Sequence, residues 1–147
     1  MVSPELLRRF PYFAKISEES LKQVAMIADE KSYPAEQVLF REGDPADTLN
    51  IIMEGEVRIQ YLLGSGEMRT VDTLVGGDIL VWSAIVEPYK TTACGTTSKP
   101  TKVISIKGKE LREICEKDPL VGYRLMTEIA KLLAHRLQNA RVQLATL

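Results

Sequence analysis

The alternation of apolar and polar residues divides this chain into three segments. About residues 1–32 carry apolar residues at helical spacing. In about residues 33–107, short apolar runs alternate between Gly, Pro and Asp turns, which predicts a sandwich or roll of β-strands. The helical period returns in about residues 108–147. We therefore predict a single domain over residues 1–147, in which helices flank a β-roll.

Local signals within these segments identify individual elements. Ser3 before Pro4, and Ser17 before two glutamates, are typical of helix starts. Val57 and Ile59 belong to a run that alternates strictly with polar residues, as in a strand with one buried face.

The last segment predicts one long amphipathic helix from Leu120 to Leu147. One apolar stripe follows a heptad repeat of spacing 4 and 3, formed by Met126, Ala130, Leu133, Leu137, Ala140, Leu144 and Leu147. A second stripe lies beside it, formed by Leu125, Ile129 and Leu132. We expect one stripe to pack on the β-roll and the heptad stripe to meet a partner helix in a parallel homodimer. The alternative is that both stripes pack within one chain.

Composition narrows the functional classes. The 147 residues include 19 Lys and Arg against 20 Asp and Glu, a balance that argues against a general nucleic-acid or membrane-binding surface. Two cysteines and no long apolar run predict a cytoplasmic protein with reduced thiols and no membrane partner. A single histidine cannot supply a metal cluster or a Ser-His-Asp arrangement, so we expect no metal, no cofactor and no enzymatic activity.

The segment from Gly76 to Thr97 has the outline of a phosphate-binding cassette. A Gly-Gly-Asp turn precedes a short apolar run, and a basic residue is then followed by small hydroxyl residues. The candidate ligand-binding residues are Gly77, Asp78, Val81, Trp82, Ser83, Lys90, Thr91 and Thr92.

Three stretches of the chain resemble the cyclic-nucleotide-binding domain family. They are LLRRFPYFAKISEESLKQVA, VLFREGDPADTLNIIMEGEVRI and LVGGDILVWSA, and together with the long last helix they extend over nearly the whole chain. The closest similarity is to the catabolite-activator (Crp/Fnr-like) branch of bacterial regulators. The resemblance implies a mainly β fold with flanking helices, built on a double-stranded β-helix, or jelly roll. It also implies a dimer through the C-terminal helix.

The cassette departs from this family at the positions that hold the nucleotide. The family's ribose-binding Glu is Trp82 here, the Gly before it is Val81, and the phosphate-binding Arg corresponds to Lys90. Trp82 can only donate a hydrogen bond, and an ammonium group does not reproduce the planar fork of a guanidinium. We therefore expect a cyclic nucleotide held in another way, or another small anionic or aromatic ligand.

Four other residues have a functional and a structural interpretation. Arg141 could hold an anion, His135 could ligate a heme, Cys94 could line the pocket, and Tyr89 could stack on a ring. Solvation explains the first two as well, and packing explains the last two.

The predicted function is a sensor module of the catabolite-activator type. Two alternatives stay open, a dimerisation scaffold with a degenerate pocket and a fragment of a longer regulator. Binding to DNA is expected only if a DNA-binding domain is supplied elsewhere.

Overall fold

Eight strands form two four-stranded antiparallel sheets that close into a jelly roll in the computed structural model of this chain, which describes residues 1–146. The strands are β1 (Ala28–Tyr33), β2 (Val38–Phe40), β3 (Thr48–Glu54), β4 (Glu56–Leu62), β5 (Met68–Val75), β6 (Ile79–Leu80), β7 (Cys94–Thr97) and β8 (Thr101–Lys107). One sheet has the order β1-β8-β3-β6 and the other β2-β7-β4-β5. The predicted fold class, mainly β with flanking helices, is confirmed.

The first strand begins at Ala28, earlier than the expected start of the roll near residue 33. Its sequence ADEKSY is polar and only Ala28 is buried, so it lacks the apolar alternation that marks a strand. Pairing with β8 over its whole length, from Ala28 opposite Ile106 to Tyr33 opposite Thr101, holds it in the sheet.

Four α-helices flank the roll: α1 (Pro4–Arg8), α2 (Glu18–Met26), α3 (Gly108–Lys117) and α4 (Pro119–Ala145). The side chains of Ser3 and Ser17 cap α1 and α2, each accepting a backbone N–H bond of 3.2 Å. Asp118 caps α4 by accepting from the Leu120 N–H at 3.2 Å. No helix within residues 1–146 has both the length and the hydropathy needed to cross a membrane.

Buried apolar side chains form two cores on opposite sides of the first sheet. Leu49 and Ile51 of β3 pack with the helices in the larger core, whereas Ile52 joins the interior of the roll. Val81 and the neighbouring cassette contact both cores, so the candidate site lies where they meet.

Helix α4 has one buried face and one exposed face. Val121, Leu125 and Ile129, four residues apart, are buried in the larger core. The predicted heptad stripe is exposed along Met126, Ala130, Leu133, Leu137, Ala140 and Leu144, of which Ala140 also borders the roll. The last member of that stripe, Leu147, lies outside the described residues. The two stripes therefore lie in different environments, as the spacing predicts.

Replacing Leu125 by alanine should lower the free energy of unfolding by about 2–5 kcal/mol, because it leaves a cavity in the larger core. Leu120→Ala on the same helix is the matched control. Leu120 is 45% exposed, so its loss should be about 1 kcal/mol or less. Chemical denaturation measures both, and equal losses would contradict the assignment of the buried face.

Candidate functional site

The cassette begins with a turn whose polar groups are used to build the structure. Gly77 has φ +94°, which a residue with a side chain rarely adopts, and its N–H donates to the carbonyl of Ile52 at 2.7 Å. The carboxylate of Asp78 accepts from the Val75 N–H at 2.8 Å. The structure thus places Gly77 and Asp78 in the turn between β5 and β6 and not in the wall of the cavity described below.

Val81 has a left-handed backbone, with φ 64° and ψ 55°. This conformation is unusual for a β-branched residue and costs on the order of 1–3 kcal/mol. It turns the chain from β6 into a short 3₁₀ helix, Trp82–Ile85, in which Ser83 and Ala84 are buried. Packing of Val81 against both cores offsets the strain.

Two contacts from outside the cassette hold it in place. The guanidinium of Arg112, on α3, lies 3.9 Å from the ring centroid of Tyr89 and donates to the carbonyl of Ala84 at 2.6 Å. Tyr89 therefore has a structural contact. The hydroxyl of Tyr12 donates to the carbonyl of Gly77. Burial, helped by nearby carboxylates, raises the pKa of Tyr12 to about 12, so this donor keeps its proton at neutral pH.

A cavity of about 30 Å³, which we call the inner cavity, lies between the cassette, the roll and α4. Its wall includes five of the predicted residues, Val81, Trp82, Ser83, Thr91 and Thr92, together with Arg136 of α4. This volume holds about one water molecule. A further cavity of about 190 Å³ beside residues 45–48 shares four lining residues with it, Phe40, Leu80, Val81 and Thr91.

Lys90, the predicted phosphate-binding residue, does not lie where the sequence predicts. It is exposed, forms a backbone bridge with Pro45, and does not line the inner cavity. The adjacent Thr91 is buried because its hydroxyl accepts from the Asp44 N–H at 3.0 Å and donates to the Arg41 carbonyl. This tie fixes the chain so that residue 91, and not residue 90, faces inward.

The cation at the inner cavity is Arg136, which sequence reasoning did not single out. Its Nε lies 3.0 Å from Oδ2 of Asp72 on β5, an ion pair by distance. The N–H does not point at the carboxylate, so the buried Nε has no hydrogen-bond acceptor. Arg136 comes seven residues after the buried Ile129, two helical turns along the same face, and this spacing is the sequence signal that could have identified it.

Arg136 also lines a second cavity of about 220 Å³, which we call the outer cavity. Ile59, Tyr61 and Val71 of the roll form its apolar side, and Asn139 and Gln143 of α4 contribute amides. Ile59 and Arg136 belong to both cavities, so these two side chains form the partition between them.

The remaining candidate residues lie away from the inner cavity. His135 and Arg141 are exposed on α4. Cys94 lines a groove on the other face of β7, together with Gln60 and Thr96. Within residues 1–146 no group of three His, Cys, Asp or Glu side chains could hold a metal ion.

A jelly roll with a short cassette, a cavity beside it and a long C-terminal helix defines the class of β-roll ligand-binding regulatory domains. The protein-family model of the cyclic nucleotide-binding domain matches residues 30–118 of this chain. The chain belongs to this family.

Relatives place the chain beside CRP-like regulators, as the resemblance implies. It is 24% identical over 97% of its length to a CRP-like cAMP-activated global transcriptional regulator of Mycobacterium tuberculosis, covering 62% of that protein. It is 23% identical over 91% of its length to the cyclic AMP receptor protein of Thermus thermophilus, covering 60% of it. The chain thus spans about three fifths of the length of these relatives.

A solved structure matches the chain more completely. A protein of Geobacter metallireducens GS-15, assigned to the cyclic nucleotide-binding class, superposes with a TM-score of 0.82 at 37% identity. The match covers 93% of this chain and 99% of that one.

The left-handed backbone at Val81 generates a prediction that separates conformation from packing. Val81→Gly should be more stable than Val81→Ala by about 1 kcal/mol, because glycine adopts a positive φ without strain. Chemical denaturation of both variants gives the difference.

The same pair of substitutions at the buried strand residue Val103 is the control. There the glycine variant should be less stable than the alanine variant by about 0.5–1 kcal/mol. A glycine variant that is less stable than the alanine variant at position 81 as well would show that the backbone of Val81 is not strained.

Proposed function

We propose that this chain is a non-catalytic sensor domain that binds a small anionic or aromatic ligand between the cassette and α4. One observation carries the proposal. Ser83, Thr91 and Thr92 of the cassette, together with Trp82 and Arg136, line one cavity at the junction of roll and helix. Such a combination of apolar wall and few polar groups is typical of small-molecule sites.

The side chains in this wall argue against cyclic AMP held in the family's usual way. Trp82 cannot accept hydrogen bonds from ribose hydroxyls, and Lys90 lies outside the cavity. The side chain of Val81 occupies space beside the cassette backbone. Each lost hydrogen bond to a charged group is worth about 1.5–3 kcal/mol, so the usual mode would be weakened by about tenfold or more.

Ligand binding would be transmitted through α4. A ligand needs more room than the inner cavity of about 30 Å³ provides, so its entry requires the cassette and the helix to move apart. A ligand that binds the opened arrangement more tightly shifts the population toward it. The geometry of α4 would then report whether the site is occupied.

The relatives support a regulatory role for the whole protein. Two of them are described as cyclic-AMP-responsive proteins, one of these as a transcriptional regulator. By this analogy the sensor would control a partner domain or subunit, and DNA would be contacted only through a DNA-binding domain supplied elsewhere.

A homodimeric scaffold is the second candidate, and the exposed stripe on α4 favours it. Leu137 is 52% exposed and Leu144 is 68% exposed, although both continue a heptad of apolar residues. A parallel pair of α4 helices would cover this stripe. Dimerisation is compatible with sensing, but a dimer without any ligand would make the domain a scaffold.

Titration with cyclic AMP, cyclic GMP, 5′-AMP and aromatic acids tests the sensor. Trp82 is the one tryptophan of the sequence and lies in the cavity wall, so its fluorescence should change saturably with at least one ligand. The affinity for cyclic AMP should be weaker than micromolar. Micromolar affinity for cyclic AMP would contradict the argument from Trp82. No change in Trp82 fluorescence with any of these ligands would favour the scaffold.

Introducing charge into the heptad stripe tests the dimer. The double variant Leu133→Lys, Leu137→Lys should sediment as a monomer at concentrations where the unmodified chain is a dimer, because buried like charges repel across the seam. Val142→Lys, an exposed apolar residue of α4 outside the stripe, is the matched control and should leave the dimer intact. A dimer that survives the double substitution would remove α4 as the interface.

A further inference from the structure

Arg136 is the one cationic side chain among the described residues that line the inner or the outer cavity. Apart from Asp72, the other side chains of these two walls are uncharged. An anionic ligand that enters from either side therefore meets Arg136 as its one source of positive charge. The cassette itself supplies hydroxyl groups and no cation, because Lys90 lies outside.

The contact between Arg136 and Asp72 leaves the guanidinium of Arg136 able to bind another anion. The two side chains are 22% and 25% exposed, and the buried Nε donates to no acceptor. The pair is partly exposed and its N–H does not point at the carboxylate, so it contributes little net stability and an incoming anion can compete with the carboxylate. Arginine also offers a planar fork of donors, which suits a phosphate or carboxylate.

We propose that Arg136 binds the anionic group of the ligand and that Asp72 holds its guanidinium while the site is empty. This inference rests on the proposed sensor function and adds the residue that selects for a negative charge. Ligand entry exchanges one anion for another at Arg136. The side chain then leaves the partition, which opens a passage between the inner and outer cavities beside Ile59.

The exchange explains how occupancy would reach the helix. Asp72 lies on β5 and Arg136 on α4, so their pair is a direct link between the roll and the helix beyond its buried segment. A ligand that replaces Asp72 removes this link. The freed carboxylate remains beside the bound anion, and repulsion between them opposes binding.

Calorimetric titration of four proteins tests the exchange: the unmodified chain, Arg136→Gln, Asp72→Asn and Arg141→Gln. The probes are 5′-AMP and cyclic AMP, with adenosine as the uncharged counterpart. Arg136→Gln should weaken the binding of both phosphate probes by about tenfold or more, the loss expected for a hydrogen bond between charged groups. Asp72→Asn should tighten the binding of both probes by up to about fivefold, because the carboxylate that competes for Arg136 is gone. Neither change should alter adenosine binding.

Arg141→Gln removes an exposed arginine from the same helix and should leave all affinities unchanged. Denaturation curves establish that each variant folds, and the gain expected for Asp72→Asn keeps the test open should Arg136→Gln fail to fold. Phosphate probes that bind Arg136→Gln as tightly as the unmodified chain, or bind Asp72→Asn no more tightly, would overturn the exchange and leave the sensor standing. Absence of binding by every probe to every protein would overturn both proposals.

Discussion

Burial of one face of α4 fixes the geometry of the whole site. Val121, Leu125 and Ile129 are held in the core that the N-terminal helices and the first sheet share. Because an α-helix is stiff over several turns, seating these three residues also sets the direction of the next two turns. Arg136 reaches Asp72 only as a consequence of that seating. The same burial turns the heptad stripe toward solvent, so the packing of this one face determines both the position of Arg136 and the exposed surface of α4.

The cassette is held by contacts that cost the chain local freedom. Val81 keeps a left-handed backbone that glycine would adopt without strain, and packing on both cores is what retains it. Arg112 and Tyr12 add tethers at Ala84 and Gly77. These tethers at Gly77 and Ala84 restrict the first half of the cassette.

Features set by local chemistry could be predicted from the sequence, and those set by distant contacts could not. The caps at Ser3 and Ser17 follow from a few adjacent residues, and the structure confirms both. The start of strand β1 at Ala28 does not follow from the sequence, because its polar residues have no period and pairing with β8 forms the strand. The inward position of Thr91, in place of Lys90, depends on hydrogen bonds to residues 41 and 44, some fifty positions earlier in the chain.

The location of the positive charge matters for what a sensor can transmit. A cation on the cassette would bind the ligand to the roll alone, and the helix would respond only through changes in the loop. A cation on α4 contacts the ligand from the element that has to move, so binding energy acts directly on the helix. In this chain the charge that faces the cavity lies on the helix, while the cassette contributes hydroxyls and an aromatic ring. Differential affinity for two positions of α4 is the only property through which a ligand can shift it, and in the proposed exchange Arg136 would provide that difference.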